Sequence, residues 1–377
     1  MHLHHFEQME PICPRCRHYH NLESPLLLHR IDRQLGERIL EGALLCSAGQ
    51  CQSEYPIIDG IPVLVADLRT WVSHQIDGLM WRDDLGEESE SLLGDCCGPG
   101  SAFDAIRQNL SSYAFSHYHD LAPPELQEPG FLPNSLLQLL EHALALAAES
   151  SATPPAGPIL DLGCAVGRTT FELAQRSEEL VLGIDLNFSL LRLAARLLHS
   201  GEIAFPLRRV GLVYQRQAFA IPWEGRERID FWACDATALP FRANRFARAL
   251  SLNLLDCLRS PYDHLLELER LLRPGGEALL ATPYDWSASA TPVEAWLGGH
   301  SQRTAQQGAS DARLRELLTP GRTGSIRTTL QLRREIAELP WRLRLHDRSE
   351  MHYRVHLLLL ESVLTPPPSP PPLHEST

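Results

Sequence analysis

Lysine is missing from this chain altogether: its 34 basic residues are all arginine, set against 47 aspartates and glutamates. That excludes Schiff-base or amine-nucleophile chemistry from a lysine side chain. A formal net charge of −13 supplies no global field to attract nucleic acid or an anionic membrane surface. Long apolar runs are also missing. None reaches membrane-spanning length, and the histidine-rich stretch Met1 to Glu10 lacks the apolar centre of a signal peptide. The nine cysteines are odd in number and do not read as a disulfide framework. The expectation is a soluble protein of a reducing, cytoplasmic compartment, with no membrane partner. What the 377 residues do offer is length for about two domains and a 44% apolar fraction that supports a substantial core.

One stretch organises the rest. Pro158-Ile-Leu-Asp-Leu-Gly-Cys-Ala-Val-Gly-Arg168 reads as a buried strand and a tight glycine turn, followed by a helix with apolar periodicity. Gly163 and Gly167 permit positive φ and close approach to the backbone. A dinucleotide fingerprint would need glycine at 163, 165 and 168, where the chain has Gly163, Ala165 and Arg168. Asp185 ends the next apolar run, at the carboxyl end of a second strand, where its oxygens can take the hydroxyls of a ribose. Strands are predicted at 159–162, 181–185, 229–234, 247–252 and 276–282, with helices at 168–178, 188–199 and 261–272. This βα order predicts a doubly wound parallel sheet with ligand at the carboxyl ends of its strands.

The Asp-x-Gly-x-x-x-Gly turn and Asp185 resemble motifs I and II of the class I S-adenosylmethionine-dependent methyltransferases. Asp235, the segment from Leu239-Pro240-Phe241 and Leu272-Arg273-Pro274-Gly275-Gly276 resemble the family's later motifs in order. The resemblance implies an α/β, Rossmann-like seven-stranded methyltransferase sheet. It implies a cofactor site of Asp161, Gly163, Cys164, Ala165, Gly167, Asp185, Leu186, Asp235, Ala236 and Asn253, holding S-adenosyl-L-methionine.

Before this domain, two cysteine pairs, Cys13/Cys16 and Cys46/Cys51, can form a tetrathiolate zinc site that stands in for a small core. The alternative is four reduced cysteines in a degenerate ribbon. Tyr55 to Leu64, with its Asp59-Gly60 hairpin tip, resembles the closing signature of the Trm112-like zinc-ribbon family. The division expected is a ribbon at 1–65, a helical linker or lid at 66–150, the transferase domain at 151–364 and a disordered proline-rich tail at 365–377. Cys96-Cys97-Gly98-Pro99-Gly100 reads as a loop, and the cysteine pair is given no role. Residues 104–150 read as helical, and Tyr113 to His119 either pack on the next domain or form a lid. The insert 200–228 reads as a surface excursion, with an anion or RNA contact as the alternative. Residues 341–346 and 354–361 read as an antiparallel pair closing the sheet, with His352 and His356 structural.

The strand ends Asn253 to Leu258 and Thr282 to Trp286, with Thr291 to Gly299, resemble the methyltransferase domain of ovothiol synthases over about residues 105–360. That resemblance implies N-methylation of a thio- or selenohistidine imidazole, a small-molecule partner. In that reading Asp256 or His117 fixes the ring's tautomer beside Tyr284. Tyr113, Tyr118, Asn253, Asp256, Tyr284, Trp286 and Trp296 hold the ring. Two rivals stand beside it. One is an rRNA or tRNA base methyltransferase with a zinc ribbon, disfavoured by the acidic balance; the other is a non-catalytic scaffold for a second methyltransferase. Oligomeric state is left open.

Overall fold

The N-terminal residues form two short helices, α1 (Leu3–Met9) and α2 (Pro14–His20), and four antiparallel strands: β1 (Leu26–Leu35), β2 (Arg38–Cys46), β3 (Glu54–Ile58) and β4 (Ile61–Leu64). Asp59 and Gly60, with φ of 52° and 81°, make the two-residue turn between β3 and β4. Four helices follow: α3 (Leu68–Leu79), α4 (Glu87–Cys97), α5 (Ala102–Tyr118) and α6 (Ser135–Ala148). Cys96 and Cys97, expected in a loop, close α4 instead. The break comes one residue later, at Gly98 with φ 75°. This computed structural model describes residues 1–127, 134–149, 155–319 and 329–363. The tail from residue 365, and residues 128–133 and 150 of the stretch expected to be helical, lie outside the described residues.

The predicted alternation then appears as β5 (Ile159–Leu162), α7 (Arg168–Gln175), β6 (Val181–Asp185) and α8 (Phe188–Ser200). A hairpin, β7 (Glu202–Val210) and β8 (Val213–Ala220), precedes β9 (Ile229–Cys234), β10 (Phe246–Leu252), α9 (Pro261–Leu271) and β11 (Leu272–Thr282). The chain closes with α10 (Ser310–Leu317), β12 (Leu330–His346) and β13 (Ser349–Ser362). The last two strands run well beyond the expected 341–346 and 354–361, since their pairing continues through bulges.

Eleven strands form one sheet in the order β1-β2-β3-β4-β9-β6-β5-β10-β11-β13-β12. The seven from β9 to β12 are the Rossmann-like methyltransferase sheet, parallel from β9 to β11 with an antiparallel final pair. The N-terminal unit does not stand off as a separate layer. Its β4 lies parallel to β9, with Val63 opposite Ala233 and Leu64 opposite Cys234, so the ribbon strands extend the transferase sheet.

Side chains alternate across this sheet into two buried clusters. Phe231 and Ala233 of β9 pack on one face with α5, α6, α7 and α8, while Trp232 and Cys234 pack on the other with α1 and α9. The insert 200–228 is not a surface excursion. Ile203, Phe205 and Leu207, at the period of a strand, are at most 2% exposed and join the first cluster beside α5. Among the described residues no helix is long and apolar enough to cross a membrane.

Candidate active site

A cavity of about 340 Å³ opens at the carboxyl ends of β5, β6, β9 and β10. Its floor is the turn after β5, where Gly163, Ala165 and Gly167 have φ of 71°, 49° and 85°. The glycines answer to protein neighbours as well as to geometry. A Cβ on Gly163 would meet Leu254 at 2.9 Å, and one on Gly167 would meet the Phe231 ring at 2.7 Å. Asp161 lies beneath, 2% exposed, its Oδ2 accepting from the Thr169 and Thr170 hydroxyls at 2.5 and 2.6 Å. Burial raises its carboxyl to about 6 despite those two donors.

Asp185 closes β6. Its Oδ2 accepts from the Ala165 N–H at 2.9 Å and its Oδ1 from the Asn187 N–H at 2.8 Å, which fixes both oxygens at the cavity wall. Burial raises this carboxyl too, against the opposing pull of those backbone donors. Asn253, just past β10 with φ 55°, lines the same cavity, and both polar atoms of its amide are buried without a hydrogen-bond partner. Cys164, Leu186 and Ala236 complete the predicted cofactor residues in the lining. Gly167 and Asp235 stand beside the cavity rather than in its lining, the Asp235 Oδ1 taking the Thr237 N–H and hydroxyl at 2.8 and 2.7 Å.

The remaining wall comes from outside the βα core. Tyr113 and His117 of α5 line the cavity, with ring centroids 6.0 Å apart. His117 is 6% exposed, and its Nδ1 has no hydrogen-bond partner. Burial, and then the nearby Arg168, lower its imidazole to about 3, so it stays neutral. Arg168 in turn is buried at the start of α7, paired with Asp120 at 2.9 Å and bonded to the His117 carbonyl at 2.6 Å. Sequence reading passed over Gln75, Asn109, Asn187, Cys257 and Trp341, all of which line the cavity.

Other predicted residues lie elsewhere. Tyr118 is fully buried behind the turn, its hydroxyl donating to the Val166 carbonyl at 2.7 Å. Tyr284, in a left-handed turn with φ 58°, places its hydroxyl 2.6 Å from His356 Nδ1, and His356 Nε2 lies 3.0 Å from Glu335. Trp286 and Trp296 stack on each other at 6.2 Å and donate to Ser310 Oγ and the Thr291 carbonyl at 3.0 and 2.8 Å, away from the cavity. Asp256, 2% exposed, accepts the Asp285 N–H at 2.6 Å from behind the wall.

At the far end of the ribbon the sulfurs of Cys13, Cys16, Cys46 and Cys51 all lie within 4.8 Å of one another. Cys13 to Cys51 is 3.8 Å and Cys16 to Cys46 is 3.7 Å. Four unoxidised thiols so gathered fit the donor set of a tetrahedral zinc site.

The S-adenosyl group also passes the test of fit. The residues present are a strand-end carboxylate, an amide with both polar atoms unmatched, and a helix start behind a left-handed turn.

Two curated proteins are similar over part of the chain. The tRNA U34 carboxymethyltransferase of Marinobacter nauticus is 30% identical over 125 residues, covering 33% of this chain and 31% of that protein. Its namesake from Hahella chejuensis is 27% identical over 139 residues, covering 36% of each. The chain thus spans about a third of the length of the curated relatives it matches. A solved phosphoethanolamine N-methyltransferase of Haemonchus contortus, complexed with S-adenosylhomocysteine, aligns with TM-score 0.29 and 20% identity, covering 38% of this chain and 28% of that one. Residues 160–280, which carry the turn, both strand-end acids and Asn253, match the family model described as a methyltransferase domain.

Proposed function

We propose that this chain is an S-adenosylmethionine-dependent methyltransferase acting on a planar heterocycle. The observation that carries the reading is the Asn253 amide, buried, unmatched and set in the same cavity as Asp185. Asp185 would hold the ribose, Ala236 the adenine, and the turn from Gly163 to Gly167 the amino-acid end. Bound there, the cofactor supplies a methyl group on a cationic sulfur. The chain supplies alignment and exclusion of water, the terms on which an in-line displacement depends. His117, held neutral, is able to accept or donate one hydrogen bond to a ring without competing charge.

The acceptor has two readings. The names of the curated relatives favour a base of transfer RNA over the histidine derivative expected from sequence. A net charge of −13 with no lysine favours the small imidazole, because affinity for RNA rests on neutralising phosphates. Incubation with radiolabelled S-adenosylmethionine and either bulk tRNA or a set of histidine, thiohistidine and selenohistidine separates them. Label in tRNA alone supports the first, label in an imidazole alone the second, and label in neither sinks both.

A further inference from the structure

We propose that the acceptor end of the cavity is an aromatic subsite, backed by carboxylates, for a neutral ring nitrogen that leaves the reaction as a cation. This rests on the methyl-transfer reading above. The aromatic part is built by two elements distant in sequence. Tyr113 and Trp341 line the cavity. Tyr353, directly opposite Trp341 in the β12–β13 register, stacks on it with centroids 5.0 Å apart and planes 28° from parallel.

The acidic part is tied to that stack. The Tyr353 hydroxyl donates to Asp285 Oδ2 at 3.1 Å, and the Asp285 N–H donates to Asp256 Oδ2 at 2.6 Å. The second oxygen of Asp256 is buried without a hydrogen-bond partner, and so is Nδ1 of His117 in the cavity wall. Cys257 reports the local field. Its confinement, then Asp256, Asp285 and Asp185, push the thiol up to about 12. A neutral thiol and a neutral imidazole therefore line the place where the acceptor would sit, with Asp256 and Asp285 standing behind that wall.

The electron balance of the transfer says what this suits. The lone pair of the ring nitrogen forms the N–C bond as the C–S bond breaks, and the electron pair left on sulfur makes a neutral thioether. No proton moves in the step, and the positive charge arrives on the ring. Carboxylates and aromatic faces placed where positive charge arrives stabilise the transition state more than the neutral ground state. The same field opposes a phosphate or carboxylate beside the reacting atom. A free heterocycle and a base in RNA both offer such a nitrogen, and the tRNA and imidazole arms of the labelling assay distinguish them.

The test uses the full chain saturated with S-adenosylhomocysteine and calorimetric titration with dimethylimidazolium, a fixed cation with the shape of a methylated product. Uridine monophosphate is the anionic control. Dimethylimidazolium is expected to bind and quench tryptophan fluorescence, and uridine monophosphate is not. Asp285→Asn should weaken the cation about tenfold or more, while binding of S-adenosylhomocysteine and the melting temperature stay at the parent's values. Trp341→Leu should abolish the quench. Equal or tighter binding of uridine monophosphate, or an Asp285→Asn variant that holds the cation as well as the parent, overturns the subsite. Failure of S-adenosylhomocysteine itself to bind overturns the methyl-transfer reading, and this one with it.

Discussion

Asp161 illustrates how a single carboxylate couples this site to stability. It is buried under the turn, and the fold raises its pKa from the ordinary 3.8 to about 6. The unfolded chain gives up that proton first, so the stabilisation is full below 3.8 and is lost as pH rises through about 6. Asp161→Asn should remove that loss and flatten the dependence of unfolding free energy on pH between those values, as read by urea denaturation. A variant with the parent's full pH dependence would place the titration on another group. Asp161, Asp185 and Asn253 were legible in sequence because each lies at or just past the carboxyl end of an apolar strand, and those ends in a parallel sheet face one edge. Tyr284, Trp286 and Trp296 were credited to the cavity by the same logic. They fall outside it because the positive φ of Tyr284 turns the chain toward His356 and Ser310, and a string of residue types does not show the sign of a dihedral angle.

At the level of elements, the hairpin β7–β8 is a structural part of the Rossmann-like domain. Phe205 is 2% exposed in the cluster that also holds Leu110, Ala114 and Phe115 of α5, the helix that brings Tyr113 and His117 to the cavity. Phe205→Ala should cost about 3–5 kcal/mol of stability by thermal or chemical denaturation. A loss within about 0.5 kcal/mol, the range of surface substitutions, would return the insert to the surface. The βα units themselves were readable from periodicity, since the apolar strands β5, β6, β9 and β10, of four to seven residues, alternate with amphipathic helices. Trp341 was not readable as a cavity residue. The β12–β13 pairing itself was readable, but the place of Trp341 depends on β12 packing against α5, a contact between distant segments that no local pattern encodes.

For the whole molecule, the consequential feature is that ribbon and transferase share one sheet through β4 and β9. If the four cysteines hold zinc, its loss should be felt beyond the ribbon, since β4 carries Val63 and Leu64 into the two cores. Purified protein should contain one zinc per chain by elemental analysis, and a chelator should lower its melting temperature. A melting curve indifferent to chelation would leave the cysteines a merely reduced cluster. The sequence pattern separated ribbon from transferase, because parallel pairing between strands about 170 residues apart leaves no mark in either strand alone.

The most direct measurement is a calorimetric titration of S-adenosylmethionine into the parent chain and into Asp185→Ala. One molecule should bind per parent chain, and the variant, folded as judged by its melting curve, should bind at least about tenfold more weakly. No binding to the parent, or equal binding to both, would contradict the placement of the cofactor between the glycine turn and the end of β6.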